Sequence, residues 1–165
     1  MLNAISHERV MELFNYDPET GILTWKVRRS KRFKVGHIAG TIRQKTGYRE
    51  VEIEGRYYLA HRLAWFYVHG TWAKRIDHRD GDRLNNRAAN LREATVSQNA
   101  ANKKMNVTNR CGFKGVRASG RNRWRATIET NHKSYSLGTF GTPEEAHAAY
   151  MAAAEKLFGE FARAA

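Results

Sequence analysis

The chain has 165 residues, which is enough for one ordinary domain or two small ones. Its 29 Lys and Arg residues outnumber the 16 Asp and Glu residues, and the formal net charge of +13 indicates a polyanionic partner. The apolar runs are too short for a transmembrane helix, and a single cysteine, Cys111, excludes both an internal disulfide and a zinc site built on cysteines.

The N-terminal segment, residues 1–59, is predicted to form a helix followed by a hairpin. Apolar residues at 10, 11, 13 and 14 have helical spacing, residues 17–21 form a turn signal, and residues 22–27 are strand-like. Further on, apolar and acidic residues alternate up to a turn at Gly55. Because His7, Glu8 and Glu12 interrupt the stretch where a secretory signal would be apolar, the sequence favours a cytoplasmic protein.

The middle segment, residues 60–105, begins with an apolar helix pattern at 63–67 and continues into a polar stretch at 77–90 that cannot build a core. Residues 106–111 have no apolar period and are predicted to form a basic linker.

The C-terminal segment, residues 112–165, is predicted to form three strands and one helix. The strand-like runs cover residues 113–118, 124–130 and 133–140. Helix signals follow at once, with Thr142 as N-cap, Pro143 in the first turn, Glu145 at the capping-box position and Gly159 as a left-handed stop. One apolar stripe is expected on this helix, formed by Ala146, Tyr150, Ala153 and Leu157.

The polar middle stretch contains Asp77-His78, then Asn90, then Asn99. This order and spacing resembles the HNH nuclease motif in the form found in phage and intron homing endonucleases, over roughly residues 60–102. The lead-in around His61 and the N-terminal segment also resemble that family. The resemblance implies a small ββα-metal core (a His-Me finger) that hydrolyses DNA with a divalent metal.

The residue types fit that chemistry. Phosphodiester hydrolysis needs a base for the attacking water and a cation that neutralises charge on the phosphoryl group. His78 is the predicted base because an imidazole is largely neutral at cellular pH. Asp77 and Asn99 are the predicted ligands of magnesium, with manganese as an alternative. Asp77 and His78 are neighbours in the chain, so they share a site only at a strand end or bend.

Asn90 is also assigned to the catalytic set, with a different task. It precedes Asn99 by nine residues, a spacing that would place the two side chains on opposite sides of one helix. An asparagine side chain suits hydrogen bonding to the backbone of the turn near Asp80. His61 starts a helix and is interpreted as a capping or packing residue, outside the catalytic set.

The C-terminal segment carries Gly115-Val116-Arg117, Trp124-Arg125-Ala126 and residues 137–140 with the sequence Leu-Gly-Thr-Phe. These runs resemble the apetala/ethylene-response-factor DNA-binding domain, a three-stranded antiparallel sheet packed on one helix. The resemblance implies that the basic strand residues bind DNA. The arginines suit guanine edges and the lysines suit phosphates, giving as candidates Arg117, Arg121, Arg123, Arg125, Lys114 and Lys133. A short connection at 119–122 departs from the plant pattern, so base specificity does not transfer.

The sequence therefore predicts an α+β protein that acts as a homing-type, metal-dependent endonuclease on double-stranded DNA, with no membrane or small-molecule substrate. The main alternative is a non-cleaving, sequence-specific transcription regulator whose nuclease site is inert. RNA binding is less favoured because the stacking motifs of RNA-binding modules are absent. The target sequence, nicking versus double-strand cleavage, the oligomeric state and the physiological metal stay open.

Overall fold

A computed structural model describes residues 5–28, 34–105 and 109–164. The chain divides into two compact units, Met1–Glu93 and Ala94–Ala165. The start of the chain and residues 106–108 of the predicted linker lie outside the described residues. No helix in the described part of the chain is long and apolar enough to cross a membrane. The predicted α+β class is confirmed.

The first unit consists of two helices and three small antiparallel sheets within its described residues, β1-β2, β3-β4-β5 and β6-β7. Their bounds are α1 His7–Leu13, β1 Phe14–Asp17, β2 Ile22–Trp25, β3 Thr41–Ile42, β4 Arg49–Ile53, β5 Arg56–Leu59, α2 Ala60–His69, β6 Ile76–His78 and β7 Leu91–Glu93, with a 3₁₀ turn at Ala88–Asn90. The hairpin around Gly55 is confirmed as β4-β5. The two-residue strand β3 was not predicted, because so short a segment has no detectable period.

One hydrophobic core runs through the whole first unit. It joins Val10 and Phe14 from the N-terminal elements, Val51 from the middle sheet, Leu63 from α2 and Leu91 from β7. Burying an apolar side chain of this size contributes about 1.5–3 kcal/mol. The N-terminal segment therefore packs as part of the same body as the β6-β7 hairpin.

The β1-β2 hairpin also contacts the loop that follows β6. The Tyr16 hydroxyl donates to the backbone carbonyl of Asn86 at 2.7 Å, and the Ala88 amide donates to the Pro18 carbonyl at 3.0 Å. Gly21 has φ +74°, and a Cβ at this position would collide with the Asn86 backbone. The turn at residues 17–21 thus fixes the loop of residues 79–87 from the N-terminal side.

The second unit contains α3 Val96–Asn102, β8 Val116–Ala118, β9 Trp124–Thr130, β10 Lys133–Phe140 and α4 Pro143–Phe158, with a 3₁₀ turn at Gly159–Phe161. The strand order is β10-β9-β8, and α4 packs on this sheet. The predicted bounds of β9 and β10 are confirmed, while β8 begins at Val116 instead of residue 113. Gly115, with φ +75°, lies so close to the Tyr150 ring that a Cβ would not fit.

The predicted apolar stripe of α4 is partly wrong. The buried residues are Ala146, Tyr150, Ala154 and Phe158, whereas Leu157 is 50% exposed. These four residues follow the i, i+4 row, which inclines across the helix surface and is buried when a helix lies obliquely on its partner.

The two ends of α4 differ in how well they were predicted. The Thr142 hydroxyl accepts from the Glu145 amide, as predicted for an N-cap. The Glu145 carboxylate accepts from the Gly141 amide instead of closing a capping box on Thr142. Gly159 has φ 53° and ψ −127°, which is a positive-φ end but not the left-handed helical stop that was predicted.

Helix α3 packs within the second unit. Ala101 of α3 belongs to the same buried cluster as Ile128 of β9 and Tyr150 and Phe158 of α4. The helix begins with a complete capping box between its N-cap, Thr95, and Gln98 in its first turn. The helix that carries Asn99 is thus held by the sheet and helix of the C-terminal segment.

Candidate active site and nucleic-acid interface

The β6-β7 hairpin positions the first two predicted site residues. Asp77 pairs with Arg92 and His78 pairs with Leu91 across the two strands. His78 is the last residue of β6, so the pair does lie at a strand end. Both side chains are buried, with exposed fractions of 4% for Asp77 and 5% for His78.

The His78 imidazole has a defined hydrogen-bond partner. Its Nε2 lies 3.0 Å from Oδ1 of Asn86, which is itself buried. An amide oxygen only accepts, so with this amide orientation Nε2 carries the hydrogen and Nδ1 carries the lone pair in the neutral ring. In this tautomer Nδ1 is the basic nitrogen of the His78 ring.

Sequence reasoning assigned no role to Asn86. The only signal for it was the Asn85-Asn86 pair in a polar loop, eight residues after His78. Its position depends on the conformation of the loop, which the turn contacts from Tyr16 and Pro18 help to fix.

His61 lies beside His78. The two ring centroids are 5.0 Å apart in an edge-to-face arrangement, and Tyr48 lies 5.0 Å from the His61 ring and 6.1 Å from the His78 ring. Burial, together with the charges of His78 and Arg62, lowers the pKa of His61 to about 3. His61 is therefore neutral at cellular pH and, as a ring packed on His78, it belongs to the surroundings of the predicted base.

Asn90 braces the loop after β6. Its Oδ1 accepts from the Asp80 amide at 3.1 Å, and its Nδ2 donates to the Asp80 carboxylate at 2.9 Å and to the Asn85 carbonyl at 2.7 Å. Burial opposes ionisation of Asp80, but hydrogen bonds from Asp82, Asn85 and Asn90 outweigh it and hold the pKa of Asp80 below its usual value. The geometry gives Asn90 a bracing contact, and its place in the catalytic set stays a prediction.

Asp77 makes a buried ion pair. Its Oδ2 lies 2.9 Å from Nε of Arg92, which is also buried. An ion pair of this kind compensates the carboxylate charge in a low-dielectric surrounding. Any divalent cation bound by Asp77 would share the carboxylate with this guanidinium.

The predicted metal ligands lie in different compact units. Asp77 is in the first unit, and Asn99 is on α3 in the second. The described residues contain no group of three His, Cys, Asp or Glu side chains that could hold a metal. A carboxylate and an amide oxygen are nevertheless the donor types that magnesium prefers, and this ion commonly keeps several waters and substrate phosphates as ligands. The donor chemistry of the two residues fits a hard divalent cation.

The sheet of the second unit carries an exposed basic face. Arg117 of β8 pairs with Arg125 of β9, which pairs with Thr139 of β10, and all three are exposed. Trp124 is partly buried, and Ala126 and Ile128, on its side of β9, are buried, as the alternation predicted. Like charges directly opposite each other destabilise a sheet, so the Arg117–Arg125 row favours an anionic partner over this face.

The remaining predicted DNA contacts divide into two groups. Arg121, Arg123 and Lys133 are exposed near the ends of the strands. Lys114 instead donates from Nζ to the carbonyls of Ala101 and Lys103 at the end of α3. Burial and the charge of Arg163 lower the pKa of Lys114 to about 8. The phosphate contact of Lys114 stays a prediction, and its observed contacts are those of a helix C-cap.

Comparison with known proteins agrees with both halves of the sequence. The profile of the HNH endonuclease family matches residues 58–101. An uncharacterized HNH endonuclease of Acanthamoeba polyphaga mimivirus is 40% identical over 87 residues, and Protein 3.8 of Escherichia phage T7 is 36% identical over 89 residues, which is 73% of that protein. Residues 58–101 of the chain therefore match an HNH endonuclease domain.

The C-terminal half of the chain has its own match. Residues 111–160 match the AP2 domain, which confirms the predicted apetala/ethylene-response-factor resemblance. The matched regions cover 53% of the chain for each of the two relatives, but only 44% of the mimivirus protein. No solved structure matches the chain.

Proposed function

We propose that this HNH protein is a metal-dependent endonuclease of the homing type, which hydrolyses phosphodiester bonds in double-stranded DNA. The observation that carries the proposal is the buried His78–Asn86 hydrogen bond at the end of β6, inside the region that matches the HNH family. A general base needs a fixed orientation and a defined tautomer, and this bond supplies both.

In the proposed reaction, Nδ1 of His78 takes the proton of the attacking water. Asn86 holds the ring from Nε2 and stabilises the imidazolium that forms. The neutral His61 ring fills the space beside it without adding a second positive charge. Asn90 keeps the loop after β6 in the shape that places Asn86 against His78.

Magnesium is the proposed metal, with Asp77 and Asn99 as its protein ligands. When bound, it would neutralise charge on the phosphoryl group and the departing oxygen. The Asp77–Arg92 pair holds the carboxylate in one orientation. Arg92 also lowers the net negative charge near the substrate phosphate.

The AP2 domain is proposed to position the nuclease on its target. Its sheet presents the exposed Arg117–Arg125 row, and Arg121, Arg123 and Lys133 extend the positive charge. Arginines can contact guanine edges with two hydrogen bonds, while lysines contact phosphates. Lys114 is also proposed as a phosphate contact, and its Nζ donates to the Lys103 carbonyl at the end of α3.

A non-cleaving DNA-binding regulator is the second candidate. It is favoured by the burial of Asp77 and His78 and by the fact that each already has a protein partner, Arg92 and Asn86. In this reading the AP2 domain carries the function, and the nuclease motif serves only to stabilise the first unit.

An end-mapping experiment separates the two candidates. Purified protein is incubated with a random-sequence duplex library in magnesium, and new ends are sequenced, with a chelator in the control. New duplex ends that appear only with magnesium, and that share a 5′ or a 3′ overhang, support the endonuclease. Enrichment of bound duplexes without new ends supports the regulator.

A further inference from the structure

An exposed arginine stands at the edge of the candidate active site. The Arg83 guanidinium lies 5.1 Å from the centroid of the Tyr48 ring, and its Nη1 donates to the Thr46 carbonyl at 2.6 Å. The same Tyr48 ring lies near His61 and His78. A single aromatic ring therefore separates this cation from the predicted base.

Arg83 differs from Arg9 and Arg43, two other exposed arginines of the first unit, in how its charge is compensated. Arg9 is paired with Glu12 and Glu54, each at 2.9 Å, and Arg43 is paired with Glu50 at 2.6 Å. Within the described part of the chain, Arg83 contacts a neutral carbonyl and an aromatic face. Its charge is held in place without a carboxylate.

The acidic residues closest in sequence are committed to the loop itself. One Asp80 oxygen accepts from the Asp82 amide at 2.8 Å, and the other accepts from Asn85 at 2.6 Å. One Asp82 oxygen accepts from the Leu84 amide at 2.9 Å. These bonds use the two carboxylates within the loop, while Arg83 contacts Tyr48 and Thr46.

We propose that Arg83, supported by Tyr48 and Thr46, is a binding site for a backbone phosphate of the DNA strand that is presented to His78. A guanidinium has five N–H donors in a planar fork that matches phosphate oxygens, and stacking on an aromatic ring reduces the entropy lost on binding. This inference rests on the proposed function and extends it, because Arg83 would be a DNA contact of the nuclease half that is separate from the AP2 domain.

The salt dependence of DNA binding tests this site. All variants are made in the full-length His78→Ala protein, so that the fluorescent random-sequence duplex used as probe stays intact. Each protein–phosphate contact contributes about 0.9 to the slope of log affinity against log salt concentration. Arg83→Gln should make this slope shallower by about 0.9. It should also weaken binding at low salt at least about tenfold, which corresponds to the lower end of the energy range for a hydrogen bond to a charged group.

Matched variants separate charge from fold. Arg83→Lys keeps the charge, so we expect a slope close to that of the parent with weaker binding. Arg9→Ala removes an exposed arginine that is already neutralised by two glutamates, and it should leave the slope unchanged. Tyr48→Leu removes the stacking ring and should weaken binding, whereas Tyr48→Phe should not. Thermal unfolding checks that each variant is folded.

The outcomes distinguish this proposal from the nuclease assignment. The phosphate site is overturned if Arg83→Gln has the same salt slope as the parent and as Arg9→Ala. This holds whether or not the native protein cuts DNA. A lowered slope together with no metal-dependent cleavage by the native protein would keep the phosphate site and reject the endonuclease.

Discussion

Replacing Asn86 tests the orientation of the predicted base most sharply. Asn86→Ala removes the oxygen that accepts from Nε2 of His78, while Tyr16 loses nothing because it binds the Asn86 backbone carbonyl. The change therefore deletes one side-chain hydrogen bond in a buried site and leaves the loop contact with the β1-β2 hairpin in place.

The magnitude follows from burial. Leaving a buried donor unsatisfied costs about 1–3 kcal/mol, and this should appear as a loss of stability in denaturant unfolding. If the transition state loses the same interaction with the imidazolium, the cleavage rate should fall roughly 5- to 150-fold. Because the bond does not touch DNA, kcat should fall while KM stays nearly constant.

The assay combines cleavage rates with the tautomer of His78. Nicking of supercoiled plasmid in magnesium gives kcat and KM, and nitrogen NMR of the labelled imidazole reports which ring nitrogen carries the hydrogen. We expect the native protein to hold the hydrogen on Nε2 and Asn86→Ala to populate both tautomers. An Asn86→Ala protein that cuts at the native rate, with the hydrogen still on Nε2, would refute the orienting role.

Four further predictions follow from the same geometry. Asp77→Ala should abolish cleavage and leave DNA affinity nearly intact, as measured by plasmid nicking and gel shift; retained cleavage would contradict its role. Asn99→Ala should be impaired and partly rescued by more magnesium, so a titration with no metal dependence would make Asn99 structural. His61 has a pKa of about 3 in the folded protein and about 6.5 in the unfolded chain, so protonation favours unfolding below about pH 6.5. The free energy of unfolding should therefore fall by up to about 1.4 kcal/mol per pH unit as the pH drops below that value. His61→Gln should flatten this pH dependence in urea unfolding. A fragment ending at Lys104 lacks the residues on which α3 packs, so its α3 amides should exchange hydrogen faster than those of the full chain. Equal protection in the two proteins would show that α3 does not depend on the C-terminal segment.

Local signals in the sequence predicted the C-terminal half well. β9 and β10 were predicted from runs of strand-forming residues, and the N-cap of α4 from a single hydroxyl. Both signals are local, because each involves only residues close together in the sequence. The buried stripe of α4 was predicted less well because it depends on the angle between helix and sheet. Phe158 is a core residue of the fold, whereas Leu157 is exposed.

The candidate site shows the same limit. Asp77 and His78 were found from their order in the chain, and their place at the end of a strand follows from the pairing of β6 with β7. The Asn86 contact could not be predicted, because it depends on the shape of a loop held by Tyr16 and Pro18 from far away in the sequence. Lys114 was predicted to contact DNA phosphates, and no local pattern reveals that its side chain also reaches the end of α3.

Plasmid relaxation is the sharpest test of whether His78 is the base of a metal-dependent nuclease. Native protein and His78→Ala are compared on supercoiled plasmid in magnesium, with a chelator as control and gel shift to confirm equal DNA binding. We expect magnesium-dependent conversion to open circles or linear DNA by the native protein and none by His78→Ala. Conversion by His78→Ala at the native rate would reject His78 as the base, and no conversion by the native protein would reject the nuclease activity.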